Sequence, residues 1–302
     1  IRALLVLGGC CHDYGKQKDI LTKGISERAN VSWVIAYDTD KGTKHLNPVY
    51  EKADWAKGFD VVVHDECSAD VKDLNVVGRI LQPHKDGLPG VVLHCGMHSY
   101  RTEGYPNVTT PWFEFTGLAS TRHDKQEPIE VTYVDKESLI SKGLTDWRTI
   151  NEELYNNFTG KLLDTAKPLA RGKQDTGKSV DDYVVVWTNQ YSKGRVFSTT
   201  LGHNNDTVAD ARYLDLVARG LLDLADFERE RRPLVEQPHQ PMQDLGDSAA
   251  RGGGVDHHQP VPAQPPHQAL EHLNRLVTRQ VAVAVGERRD RKSTRLNSSH
   301  RT

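Results

Sequence analysis

The chain has 302 residues, with 39 Lys+Arg against 41 Asp+Glu. That length allows one large domain or two small ones, and the near-neutral balance excludes the broad basic field of a dedicated nucleic-acid binder. No apolar run approaches the ~20 residues of a membrane helix, and four cysteines (Cys10, Cys11, Cys67, Cys95) are too few for a disulfide scaffold.

The chain opens at Ile1, without Met and directly in an apolar run, as expected of a fragment or processed product; the compartment is therefore left open. Residues 1–7 (IRALLVL) end in Gly8-Gly9 and predict a buried parallel strand feeding a turn. Residues 15–29 place Ile20, Leu21 and Ile25 at helical spacing, and 31–37 (VSWVIAY) predict a second strand. Residues 50–57 suit a short helix or turn, and 59–64 (FDVVVH) a third strand ending in His64-Asp65-Glu66. Val71, Leu74, Val77, Ile80 and Leu81 share one face of a helix over 70–84. Residues 89–94 (PGVVLH) predict a fourth strand ending in Cys95-Gly96. Alternating strand and helix at this spacing argues for βαβ units and a parallel sheet. Further strands are expected at 129–134, 183–188 and 194–199, the last two as an antiparallel hairpin at a sheet edge, followed by a helix at 208–222.

Composition changes after Leu222. Residues 223–302 hold one Lys (Lys292), one Phe (Phe227) and no Ile, Tyr, Trp or Cys, but seven Pro, seven Gln and six His. So few large apolar side chains cannot offset the entropy of ordering. Two readings remain, a disordered tail or a stretch that is not natural protein. The second is preferred, because residues 290–300 (DRKSTRLNSSH) resemble translated sequencing adapter and the residues before them resemble GC-rich DNA read out of frame. Only 221–231 and 268–285 carry helical character there. The expected organisation is one domain over 1–222 and a low-order tail over 223–302.

Ligands of open α/β sheets sit beyond the carboxyl ends of the strands. The polar residues expected there are His12 and Asp13 after the first strand, His64-Asp65-Glu66 after the third, His94, His98, Tyr100 and Arg101 after the fourth, and His203 after a later one. In a doubly wound fold three of these sets converge. Each has a plainer alternative: Asp13 as a helix cap, His64-Asp65 as a satisfied strand-end pair, His94 as a packed core histidine. Cys10 and Cys11, strained as a vicinal bridge, are expected to be small buried groups. Free cysteines would mildly favour a reducing compartment.

Residues 1–222 resemble the ThuA-like (trehalose utilisation) family. The matching motifs are LLVLGGCCHDY (4–14), VVVHDECSADV (61–71), VVLHCGMHSYR (91–101), INEELYNN (150–157), PLARGK (168–173), VVVWTNQY (184–191) and RVFSTTLGHNNDTVADARYLDLVARGLL (195–222). The resemblance implies a flavodoxin-like, class I glutamine amidotransferase-like fold: a mostly parallel sheet with helices on both faces. It does not carry amidotransferase chemistry over, because the elbow position holds His94 with Cys95 one residue off, and His64-Asp65-Glu66 precedes Cys95.

The resemblance implies a role in disaccharide breakdown, on a sugar or a 3-keto sugar. His98, Glu153, His203 and His12 are the expected catalytic groups, since such side chains exchange protons near neutral pH. Of the adjacent Glu152 and Glu153 only one is expected to point inward, and Glu153 is chosen. Asp13, His94, Tyr100, Arg101, Trp187 and Asn189 are the expected sugar contacts. His12, His98 and His203 with a carboxylate form a candidate zinc set, although no short metal motif marks it. The alternative is a non-catalytic sugar-binding or interaction domain. A small carbohydrate is the expected partner, without nucleic acid or membrane; self-association, the bond attacked and the choice among hydrolysis, isomerisation and elimination stay open.

Overall fold

The computed structural model describes residues 1–160 and 162–231. Among them, nine strands form one sheet in the order β2-β1-β3-β4-β9-β8-β7-β5-β6. The first half follows the expected βαβ pattern. β1 (Arg2–Gly9) lies between β2 (Ser32–Tyr37) and β3 (Val61–Cys67), and β4 (Gly90–Leu93) follows β3, all in parallel. Its connections include α1 (Tyr14–Ser26) and α2 (Leu74–Lys85). α1 starts where Asp13 accepts a hydrogen bond from the Lys16 backbone N–H, satisfying a donor of the first turn.

β1 and β3 are buried over nearly their whole length because both faces are covered. Alternate residues go to opposite faces. Leu5, Val63 and Leu93 pack with Leu21 and Ile25 of α1 and with Leu214 and Val217 of α5 (Ala211–Arg231). Leu4, Val62 and Val92 pack with Ile80 and Leu81 of α2 and with Trp112 and Phe115 of α3 (Pro111–Thr116).

The expectation of a mostly parallel sheet is corrected. β5 (Glu127–Tyr133), β6 (Trp147–Glu152), β7 (Ala166–Asp175), β8 (Val180–Tyr191) and β9 (Gly194–Thr199) join through antiparallel pairs, giving a mixed sheet. β6 and β7 mix charged and small residues (WRTINE, AKPLARGKQD), which hides them from a search for apolar runs. The β8–β9 hairpin exists but does not sit at an edge. β9 also pairs with β4 in parallel and so joins the two halves. Its central place agrees with the unbroken burial of residues 184–187 and 196–199.

The compositional boundary at Leu222 falls inside α5, which continues through the helical run expected at 221–231. Leu224 and Ala225 are buried, and Asp223 pairs with Arg195 at 2.9 Å. The expected helix at 268–285, the adapter-like residues 290–300 and the other tail assignments beyond Arg231 lie outside the described residues. No helix among the described residues is long and apolar enough to cross a membrane.

Candidate functional site

Three histidines and one carboxylate meet where the two halves of the sheet join. His12 comes from the turn after β1, and His94 from the junction of β4 with a short 3-10 helix over His94–His98. Glu153 directly follows β6, and His203 follows β9, before the short helix α4 (Asn205–Val208). One ligand-capable atom from each lies within 4.8 Å of all the others. His12 Nε2 is 3.1 Å from His203 Nδ1, His203 Nδ1 is 3.2 Å from Glu153 Oε2, and His94 Nε2 is 3.4 Å from the same oxygen.

The backbone and neighbouring side chains aim these groups. His94 has φ of 40°, a left-handed conformation unfavourable for a residue with a Cβ and characteristic of strained functional turns. This is the elbow placement expected of it. Its Nδ1 lies 2.6 Å from the Thr200 carbonyl oxygen. A carbonyl only accepts, so Nδ1 carries a proton and Nε2 is the nitrogen turned to the cluster. The Tyr155 hydroxyl is 3.0 Å from that Nε2. His12 Nδ1 is 3.1 Å from the Tyr14 hydroxyl. Glu152 accepts the backbone N–H groups of His203 and Asn204, each at 3.1 Å, and so anchors the His203 loop.

Burial pushes the His12 ring down to about 2, helped by the neighbouring His94 and His203, so its imidazole is neutral near pH 7. Burial alone would raise the Glu153 carboxyl, but hydrogen bonds from His203 and His94 outweigh it and hold the group below the usual range. The same hydrogen bond to Glu153 raises His203. An ionised carboxylate thus faces His94 Nε2 at 3.4 Å. A proton on Nε2, or a cation between the two, satisfies that contact.

The ends of strands 1 and 4 and the loop after β9 therefore converge as expected, and Glu153 joins them. The third set does not. His64 and Glu66 are buried and hydrogen-bonded at 2.9 Å, with Tyr50 2.6 Å from Glu66 and His84 3.0 Å from His64. The metal set needs a correction, because His94 occupies the place given to His98. His98 is buried, hydrogen-bonded to Ser120 Oγ at 3.0 Å and stacked on Tyr155 at 4.0 Å, which places it one ring behind the cluster. Burial drives its ring well below the ordinary histidine range. Glu153 joins the cluster, but the expectation that only one of Glu152 and Glu153 points inward is corrected. Both carboxylates engage the His203 segment, because the chain leaves the strand at Glu152 and strict alternation ends there.

Several expected sugar contacts are structural instead. Trp187 is fully buried and donates to the Thr116 carbonyl at 2.7 Å. Asn189 is buried and donates to the carbonyls of Glu114 and Phe115, both at 2.9 Å. Tyr100 is fully buried against Trp112. Arg101 lies over Tyr105 and lines a separate cleft with Lys72 and Thr102. Asp13 is the cap of α1 and also accepts from Asn205 at 3.0 Å. The expected free cysteines are paired, Cys10 with Cys11 and Cys67 with Cys95, since neighbouring strand ends bring the second pair together.

Sequence reasoning missed three residues around the cluster. Tyr155 lies in the INEELYNN motif, so a signal existed. Tyr14 ends the first motif. His123, with Nε2 3.5 Å from Glu153 Oε1, stands in a segment with no motif at all. A cleft of about 400 Å³ opens beside His12, lined also by Asp13, Tyr14, Tyr37, Asp38 and Lys41. A larger one of about 680 Å³ lies against β2 near Trp55 and Phe59 and contains no histidine. Size and chemistry do not coincide here, and the chemistry marks the smaller cleft.

The fold is shared with solved structures. A ThuA-like protein of Parabacteroides merdae is 20% identical, with TM-score 0.53 over 74% of this chain and 90% of that one. A ThuA-like protein of Bacteroides uniformis is 13% identical, with TM-score 0.52 over 73% and 89%. A cytoplasmic protein of Salmonella typhimurium LT2 is 11% identical, with TM-score 0.50 over 74% and 99%. No curated protein matches the chain. The family model for ThuA, trehalose utilisation, matches residues 25–222, about two thirds of the chain, and the chain belongs to that family.

Proposed function

We propose that the protein is a carbohydrate-active enzyme whose centre is the His12–His94–Glu153–His203 cluster, acting on a disaccharide or its 3-keto form. The carrying observation is the gathering of ligand-capable atoms at one point: one atom from each of three imidazoles and a carboxylate lies within 4.8 Å of all the others, with three contacts at 3.1–3.4 Å. Tetrahedral zinc with bonds of ~2.0–2.1 Å to nitrogen or oxygen sets its ligands about 3.3 Å apart, which those three contacts match. The neutral His12 imidazole and the ionised Glu153 carboxylate are already in the required ligand states, and His203 would release its proton on binding. His12, His94, His203 and Glu153 would hold the ion, which when bound polarises a carbonyl or activates a water.

The chain's own groups do the remaining work. Thr200 and Tyr14 orient the His94 and His12 rings from behind, as outer partners of ligating histidines do. His123, partly exposed, offers a proton path between Glu153 and solvent. Asp13, Asp38 and Lys41 supply hydroxyl partners in the adjoining cleft, and Tyr37 an aromatic face. A second, metal-free reading rests on the raised His203 and depressed Glu153, an acid–base pair already in contact.

NMR turnover of trehalose, maltose, sucrose and their 3-keto forms, with and without zinc, tests both. Turnover that needs zinc and is lost in His94→Ala supports the metal centre. Turnover that survives chelation but is lost in His203→Ala supports the acid–base pair. Sugar binding without turnover under every condition leaves a binding domain and overturns the enzyme reading.

A further inference from the structure

The four cysteines end up together although they are spread over 86 positions of sequence. Cys10 follows β1, Cys67 ends β3 and Cys95 follows His94 after β4, so adjacent parallel strands deliver them to one edge. They form two bridges of opposite character. Cys10–Cys11 is accessible, with Cys11 exposed and lining the cleft beside His12. Cys67–Cys95 is buried, its sulfurs on residues only 3% and 5% exposed. The bridges touch: Cys10 Sγ lies 3.4 Å from Cys67 Sγ. The backbone holds them there, since the Cys10 N–H donates to the Cys67 carbonyl at 3.3 Å and Gly9 is in register with Cys67. Gly9 has φ of 90°, and a Cβ at this position would collide with that carbonyl. The close approach therefore depends on glycine.

Thiol–disulfide exchange requires an attacking sulfur with access to the bond it breaks. A solution thiol reaches Cys11 but not Cys67 or Cys95. Cys10 already sits against Cys67. We propose that the four cysteines form a disulfide relay, in which the exposed vicinal pair passes reducing equivalents from an external dithiol to the buried Cys67–Cys95 bridge.

The steps balance. One thiolate of the dithiol attacks Cys11 Sγ, the Cys10–Cys11 bond breaks, and Cys10 leaves as a thiolate. Cys10 attacks Cys67 Sγ, forming Cys10–Cys67 and expelling Cys95, which takes a proton. The second thiol of the reductant closes on the mixed disulfide at Cys11, releasing the oxidised dithiol and a Cys11 thiolate. Cys11 then attacks Cys10, restoring Cys10–Cys11 and expelling Cys67, which takes the second proton. The net result is one dithiol oxidised by two electrons and Cys67–Cys95 reduced to two thiols. Reduction unties β3 from the turn that carries His94, but the relay does not depend on what the histidine cluster does.

The test uses the full chain, oxidised with diamide and pulsed with dithiothreitol. Samples are quenched in acid, alkylated and mapped by mass spectrometry without reduction. The wild type is expected to show a transient Cys10–Cys67 linked peptide, then alkylation at Cys67 and Cys95. Cys11→Ser, which leaves Cys10 unpaired, is expected to accumulate the Cys10–Cys67 link with Cys95 alkylated before any dithiol is added. In Cys10→Ser the buried bridge should open at least about tenfold more slowly than in wild type. Equal rates in folded Cys10→Ser and wild type overturn the relay. So does absence of the Cys10–Cys67 peptide from both wild type and Cys11→Ser, or failure of diamide to form the two bridges. Should Cys10→Ser lose cooperative unfolding, the linked peptide in the other two proteins decides alone.

Discussion

β1, β3 and β4 are buried almost throughout, whereas β5, β6 and β7 alternate buried with exposed residues. The first group is covered by helices on both faces and pairs in parallel, so its strands read as continuous apolar runs. The second pairs in antiparallel fashion and carries charge on its open positions. The difference reaches the candidate site. The parallel half supplies His12 and His94 from strand ends, where the chain must turn and side chains are released from packing. The antiparallel half supplies Glu153 and Tyr155 from an irregular segment after β6, and β9, shared by both halves, leads into His203. A site of this kind is an interface within one sheet, and neither half holds it alone.

The sharpest way to break that comparison is to remove one ligand from each half. His94→Ala and Glu153→Gln are each expected to lower turnover by about 10²–10⁴-fold, the range for losing a positioned acid–base or ligating group. If only the parallel-half variant loses turnover in the NMR assay, the antiparallel half is scaffold. Tyr155→Phe tests the outer contribution of the antiparallel half. The Tyr155 hydroxyl lies against the same His94 Nε2 that would ligate the ion, so its loss should strengthen zinc binding by up to about tenfold in calorimetry while the protein stays folded; weakened affinity would make the hydroxyl a support of the bound ion instead.

Two changes separate stability from chemistry. Trp187→Ala on the central β8 should cost about 3–5 kcal/mol in denaturant unfolding, because a fully buried indole is lost from the core. A variant of normal stability but poor sugar binding would restore Trp187 to the site. Asp13→Ala, at the start of α1, should cost about 1 kcal/mol through the lost cap. A much larger loss of sugar binding would show that its place in the cleft matters more.

Asp65 in β3 gives the one effect read by pH. Burial, with the nearby Glu66 adding, raises its carboxyl from 3.8 to about 8. The folded state then holds a proton that the unfolded state releases. Stability is therefore expected to fall as pH rises from about 4 to about 8. Asp65→Asn should flatten that part of the profile in unfolding at several pH values; an unchanged slope would assign it to other groups.

The parallel half was legible because each strand is a solid apolar run with a helix between it and the next. β6 and β7 were not, since WRTINE and AKPLARGKQD gain their strand character from pairing rather than from side-chain pattern. Among residues of the candidate cluster, His12 and His203 were legible because polar groups at strand ends stand out against apolar runs, and Glu153 through the INEELYNN motif. His98 was preferred to His94 because it lies one turn past the strand end beside Ser99 and Arg101, whereas His94 at the strand end reads as a packed core histidine. Only the φ of 40° at His94 shows which of them turns into the cluster.

Local pattern thus determined the existence of the first four strands, their helices and the family to which the chain belongs. The tertiary structure alone decided that β9 lies beside β4, that Glu153 meets His94 from a distant segment, and that Trp187, Asn189 and Tyr100 belong to the core. It also decided that four cysteines thought free are joined in two bridges. The physical reason is the same in each case. Periodicity records which side of an element is buried, but not which other element buries it, and contacts between residues far apart in sequence are set by how the whole sheet closes.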